Sequence, residues 1–177
     1  MARSIVAVAV LGVVVACVPA LAAEPERMCF IGESVMGSGD GRPMGSQVLL
    51  VEKTHDPAKG TITERAVVVK ADGSSESHAM TMTVSGDTFT IADDARTITG
   101  SGKLFGPAWR WTYFCGTFKS SNGVTIEDEN FLADPSVGVA RKKVTAPDGK
   151  VIMYMDVTLK AVTPQTFKIL SAALLKK

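Results

Sequence analysis

The 177-residue sequence carries 19 lysines and arginines against 18 aspartates and glutamates, a formal net charge of +1. Nucleic-acid-binding proteins take most of their affinity from a surplus of basic side chains. The balance therefore argues against a nucleic-acid partner, and the basic cluster Arg141-Lys142-Lys143 is predicted to be a solvated strand end. The sequence also lacks the Gly-x-Ser-x-Gly, His-Glu-x-x-His and Ser-x-x-Lys motifs of common hydrolases, so we expect no enzymatic activity.

Residues 1–23 are predicted to be an export signal. Arg3 gives a positive start, 5–15 is an apolar run too short to span a bilayer comfortably, and Pro19 precedes small residues suited to cleavage. Cleavage would leave residues 24–177 as a single domain with 18 basic and 18 acidic residues, located in the periplasm or secreted. Alternatively, Val14-Val15-Ala16-Cys17 resembles a bacterial lipobox, in which Cys17 would be lipidated and would anchor the protein to a membrane of the cell envelope.

The chain after the signal alternates between short apolar-rich segments and turn signals. Asp72-Gly73, Asn122-Gly123 and Pro147-Asp148-Gly149 are typical of tight turns between antiparallel strands. The predicted strands cover residues 28–36, 47–53, 61–70, 76–84, 88–92, 96–105, 107–118, 124–132, 137–145 and 151–162. Thr163 and Pro164 then suit the cap and first position of a short C-terminal helix.

The segment 107–118 is predicted to be a central strand. Trp109, Trp111, Tyr113 and Cys115 alternate along it, so in an extended chain they stand on one face. We expect that face to point into the core.

Cys29 and Cys115 are the two cysteines that remain if Cys17 leaves with the signal. An even pair in an oxidising compartment favours a disulfide between them. The sequence contains no Cys-x-x-Cys that would favour a redox or metal site instead.

Two further strands carry chemistry of interest. On 124–132, Asp128 and Asn130 alternate with Glu127 and Glu129, so one pair faces inward and the other faces solvent. If the inward pair is Asp128 and Asn130, these polar groups need partners, water or a ligand. On the last strand, Met153 and Met155 share one face with the other apolar residues.

This arrangement resembles the lipocalin-like (calycin-type) barrels: an export signal, an antiparallel up-and-down meander closing into a barrel, one disulfide and a terminal helix. The resemblance covers the mature chain in outline and implies an all-β fold, with an open sandwich as the alternative. Those proteins typically carry Gly-x-Trp on the first strand, whereas the tryptophans here come late, after Gly106-Pro107.

The resemblance and the apolar composition predict an exported protein of the bacterial cell envelope that binds a small apolar or amphipathic molecule without a cofactor. The alternatives are a non-catalytic structural or interaction module of the envelope, and a periplasmic copper(I)-binding protein that uses the alternating His78, Met80 and Met82. The predicted ligand-lining residues are Trp109, Trp111, Tyr113, Met80, Met82, Met153 and Met155, with Tyr154 and Asp128 behind them.

Overall fold

The computed structural model describes residues 26–95, 97–106, 113–134 and 136–175, and within these ranges the chain forms ten strands and one helix. Residues 1–25, including the predicted signal and Cys17, lie outside the described residues. The strands are β1 (Glu26–Ser38), β2 (Pro43–Asp56), β3 (Thr61–Val69), β4 (Ser75–Ser85), β5 (Thr88–Asp93), β6 (Ile98–Phe105), β7 (Tyr113–Ser120), β8 (Thr125–Asp134), β9 (Val137–Thr145) and β10 (Val151–Val162), followed by α1 (Pro164–Leu174).

The ten described strands close into an antiparallel up-and-down barrel. Each strand pairs with the next one along the chain, and β10 pairs with β1 to close the sheet. Because the sheet closes on itself, each of these strands has a neighbour on both sides. A sheet without a free edge strand is protected from pairing with other chains. The predicted all-β meander with a short C-terminal helix is confirmed, and the open sandwich is excluded.

Turns form where the sequence predicts them. Gly73, Gly123 and Gly149 have φ values of 83°, 84° and 85°, a left-handed conformation that glycine adopts without steric cost. At the C-terminus, the Thr163 hydroxyl accepts a hydrogen bond from the backbone N–H of Thr166 at 3.1 Å and caps α1, which packs against β1. None of the described residues belongs to a helix with the length and hydropathy needed to cross a membrane.

One end of the barrel is filled by aromatic rings. Phe89 stacks on Phe114 with ring centroids 4.8 Å apart, and Phe118 lies 6.5 Å from Phe89. Strands β6 and β7 make room for these rings with glycines, since a Cβ at Gly102 would lie 2.5 Å from Phe89 and one at Gly116 would lie 2.9 Å from it. The surrounding buried residues are Ile62, Met82, Ile91 and Leu104.

Strand β7 has the opposite orientation from the one predicted. Phe114 and Phe118, both 5% exposed, point into the barrel, so Tyr113 and Cys115 point outward. The prediction for Tyr113 is therefore wrong. Both alternating sets on this strand contain aromatic residues, and the set that includes Gly116 is the one that fits against the ring of Phe89. Trp109 and Trp111 lie outside the described residues.

The predicted disulfide is also wrong, because Cys29 and Cys115 are both free thiols. Cys29 on β1 and Cys115 on β7 both occupy outward-facing positions of their strands. Strands β8, β9 and β10 lie between β1 and β7 on one side of the barrel. Two side chains on different outer walls cannot meet across the core. Cys29 is 2% exposed, and burial raises the pKa of its thiol.

Candidate functional site: an internal cavity with charged walls

The barrel encloses a cavity of about 310 Å³. Most of its wall is apolar and comes from inward-facing positions of strands on both sides of the barrel. Because such positions alternate with outward ones, each strand contributes every second residue. The apolar lining residues are Leu49, Val51, Ala66, Val68, Met80, Met82, Ile91, Phe114, Phe118, Met155, Val157 and Leu159.

Four ionisable side chains, which we call the charged quartet, also face this cavity: Lys53, Glu64, Asp128 and Lys142. The Lys53 ammonium lies 3.0 Å from a Glu64 carboxylate oxygen, and the Lys142 ammonium lies 2.9 Å from Asp128 Oδ2. Asn130 donates a hydrogen bond of 2.8 Å to the other Asp128 oxygen. The Asp128 side chain is 5% exposed, so both of its oxygens are satisfied inside the protein.

The two pairs of the quartet also interact with each other. Burial disfavours ionised Glu64, but attraction to Lys53 and Lys142 outweighs burial and lowers the pKa of Glu64. Burial likewise disfavours the Lys142 ammonium, but Asp128 and Glu64 outweigh it and raise the pKa of Lys142. The quartet therefore links β2 and β3 to β8 and β9 electrostatically, and its two cations balance its two anions.

Glu76, His78 and Gln47 form a polar rim around the same cavity. Glu76 makes an ion pair with Lys70 in the turn between β3 and β4, and the hydrogen bond from Lys70 lowers the pKa of Glu76. His78 Nε2 lies 3.9 Å from the second Glu76 oxygen. The negative charge of Glu76 is therefore balanced by the positive charge of Lys70.

Ser34 lies next to the cavity with an unsatisfied hydroxyl. It is 0% exposed, and its Oγ has no hydrogen-bond partner among the described residues. Its partners across the sheet, Gln47 and Val157, both line the cavity. Buried hydroxyls are normally paired, so this one is a candidate contact for a guest molecule or a water.

A gap in the barrel wall leads toward the cavity, and we call it the side notch. Strand β5 has six residues and pairs with Met80–Ser85 of β4, so 75–79 extends beyond the end of β5. The resulting hollow of about 570 Å³ is bordered by His78 and Asp94. It shares five wall residues with the internal cavity: Ala66, His78, Met80, Phe118 and Lys142.

The structure brings together some of the predicted lining residues. Met80, Met82, Met155 and Asp128 lie on the cavity wall, and their contact with a ligand stays a prediction. Met153 is opposite Val144 in the strand register, away from the described lining.

Tyr154 is 42% exposed and lies on the outer face of β10, one residue out of phase with Met155. Its predicted place behind the lining is wrong, because neighbouring residues of a strand point to opposite faces.

The predicted copper ligands His78, Met80 and Met82 share one face but spread along the strand. His78 and Met82 are four residues apart, about 13 Å of extended chain. Met82 packs into the buried cluster at the end of the barrel that is filled by aromatic rings, and it is 7% exposed. In the described chain, no three His, Cys, Asp or Glu side chains converge on a metal position.

Three residues of the cavity wall were not predicted from the sequence: Lys53, Glu64 and Lys142. Lys142 was predicted to lie at a solvated strand end, whereas in the described sheet its neighbours Arg141 and Lys143 point outward and Lys142 points inward. The alternation of side chains along a strand could have identified such residues. Lys53 falls on the same inward-facing set as Leu49 and Val51.

The fold and cavity define the class: a closed antiparallel barrel with a partly charged interior. The sequence matches no protein-family model and no curated protein. In structure the chain is similar to a protein of unknown function from the DUF3598 family of Nostoc punctiforme, at 14% identity and a TM-score of 0.58. The match covers 76% of this chain and 46% of that one, and it shows the fold alone.

The dehydratase domain of PpsC from Mycobacterium tuberculosis also matches, over 76% of each chain at 8% identity. Its TM-score of 0.20 is too low to support an argument.

Proposed function

We propose that this protein is an exported, non-catalytic protein of the bacterial cell envelope that binds a small amphipathic molecule inside its barrel. The observation that carries the proposal is the cavity of about 310 Å³, a volume at the lower end of the usual range for small-molecule sites. Export rests on the sequence of residues 1–23 alone.

The lining supports a guest with an apolar and a polar part. Met80, Phe118 and Met155 offer apolar contacts, whereas Asp128 and Lys142 concentrate polar atoms on one side of the space. Small-molecule pockets commonly combine a mostly apolar wall with a few placed polar groups that fix orientation. The side notch supplies a route of entry beside the same residues.

Titration of the purified protein with N-phenyl-1-naphthylamine, an uncharged dye that fluoresces in apolar surroundings, tests this proposal. We expect saturable binding of one dye per chain. In Ala66→Trp the indole would occupy space in both the cavity and the side notch, so binding should fall at least about tenfold, the equivalent of 1.4 kcal/mol. Thr90→Trp places the same ring on the exposed outer face of β5 and should bind like the wild type.

Far-ultraviolet circular dichroism would establish that both variants are folded. Absence of saturable binding, or equal binding by the two variants, would contradict the proposal and leave the barrel as a structural or interaction module.

A further inference from the structure

We propose that the cavity selects amphiphiles whose polar group carries no net charge, and that the charged quartet sets this preference. The inference rests on the proposed function and names the ligand class for that site. Its basis is the charge balance of the cavity wall together with the pairing of each charged group.

The ionisable groups on the cavity wall balance one another. Lys53 is paired with Glu64, and Lys142 with Asp128. Of the two rim groups, Glu76 is paired with Lys70, and His78 Nε2 lies 3.9 Å from the second oxygen of Glu76. No described cation or anion on this wall lacks a counter-charge for a ligand ion to neutralise.

A charged polar group would therefore enter a space whose charges are already compensated. It would lose its own hydration without gaining an unpaired counter-ion, and a buried charge without a partner is strongly unfavourable. A carboxylate near Lys142 would also meet Asp128 and Glu64, whose fields already act on that lysine. An alkylammonium near Asp128 would meet Lys142 in the same way.

A hydroxyl or amide group does not meet this penalty, because it has no ionic charge to desolvate. Lysine ammonium groups have three donors each, and carboxylate oxygens have several lone pairs, so the ammonium can donate and the carboxylate can accept a further hydrogen bond while both keep their ion pairs. Ser34, buried and without a described partner, adds a hydroxyl next to this wall. The cavity thus offers donors and acceptors together, which suits a group that has both.

The test uses three molecules with the same ten-carbon chain at pH 7.5: decanol, decanoate and decylamine. Each competes for bound N-phenyl-1-naphthylamine. We expect the wild type to bind decanol at least about tenfold more tightly than either ion, and tenfold corresponds to 1.4 kcal/mol. Because decanol is also the most apolar of the three, variants of the quartet carry the decisive comparison.

Charge variants should shift the preference in opposite directions. Lys142→Gln leaves one excess negative charge, so the affinity for decylamine relative to decanol should rise about tenfold or more. Asp128→Asn leaves one excess positive charge and should raise the relative affinity for decanoate in the same way. The double variant removes the pair but restores the balance, and the order of the wild type should return. Lys53→Gln and Glu64→Gln repeat the two single tests on the other pair if a first variant does not fold.

The outcomes separate the two proposals. If the dye and decanol bind but the single variants shift preference in the same direction, or not at all, the charge-selection inference is wrong while ligand binding stands. If decanoate binds the wild type as well as decanol does, the inference is also wrong. If neither the dye nor any ten-carbon molecule binds, the proposed function fails.

Discussion

Gly102 on β6 is a position where a single added methyl group should destabilise the barrel. A Cβ at this residue would lie 2.1 Å from the backbone oxygen of Cys115, 2.5 Å from Phe89 Cζ and 2.7 Å from the Cα of Gly116. Two of these three atoms belong to the backbone of β7, the paired strand, so they cannot rotate away. Gly102→Ala must therefore push β6 and β7 apart or distort them beside the aromatic end of the barrel.

Overpacking a core typically destabilises a protein by about 1 to 3 kcal/mol, and we expect the upper end here because the obstruction is main chain. With a urea dependence of about 2 kcal/mol per molar, a loss of about 3 kcal/mol lowers the unfolding midpoint by about 1.5 M. Urea titration followed by circular dichroism measures this shift.

Gly138→Ala on β9 is the matched control, because its nearest neighbour would be Leu132 Cδ2 at an ordinary 3.6 Å. This variant should unfold at the wild-type midpoint or slightly higher, since alanine reduces the freedom of the unfolded chain by about 0.4 to 1 kcal/mol. Equal midpoints for the two variants would refute the close approach of β6 and β7.

Two further predictions concern the titratable groups. Because the pKa of Glu64 is lowered from 4.5, its ionisation stabilises the fold above that value, and this contribution disappears as the pH falls through the lower folded-state pKa. The urea midpoint of Glu64→Gln should therefore approach that of the wild type as the pH is lowered from above 4.5 through the folded-state pKa, whereas a pH-independent difference would count against the charged quartet. Iodoacetamide should label half-buried Cys115 in the folded protein, and it should label Cys29 only after unfolding. Peptide mass spectrometry measures both modifications. A cross-linked peptide that contains Cys29 and Cys115 would show that the two thiols form a disulfide and would contradict the prediction.

Local sequence patterns predicted most of the fold. The segments 137–145 and 151–162 coincide with β9 and β10, because polar turns and glycines mark their ends unambiguously. The short helix was predictable from Thr163 and Pro164 for the same reason. These features depend on neighbouring residues in the chain, which a sequence displays directly.

The orientation of β7 depends on information from other strands. Aromatic residues stand on both faces, Tyr113 on one and Phe114 and Phe118 on the other. Aromatic content alone therefore does not give the orientation, and the deciding contact is between Phe89 on β5 and the glycines of β6 and β7. The false disulfide arose similarly, since an even count of cysteines says nothing about which walls of a barrel they occupy.

The charged quartet was not predicted from the sequence, for a different reason. Lysine and glutamate are usually exposed, so Lys53 and Glu64 looked like surface residues although their phase was inward. Each charge of the quartet is compensated mainly by the residue opposite it on the neighbouring strand, Lys53 by Glu64 and Lys142 by Asp128. An inward charge becomes recognisable as a core feature only when its partner across the sheet is known.

The shortness of β5 determines how wide the side notch is. Each residue of a strand adds about 3.3 Å, so lengthening the hairpin of β5 and β6 by two residues on each arm would extend pairing along β4 to about position 78 and narrow the side notch. Such an insertion would leave every residue of the cavity wall unchanged while slowing exchange with solvent. Under the proposed function, the length of this hairpin would govern the rate of ligand uptake, whereas the residues of the cavity wall would govern the equilibrium selectivity.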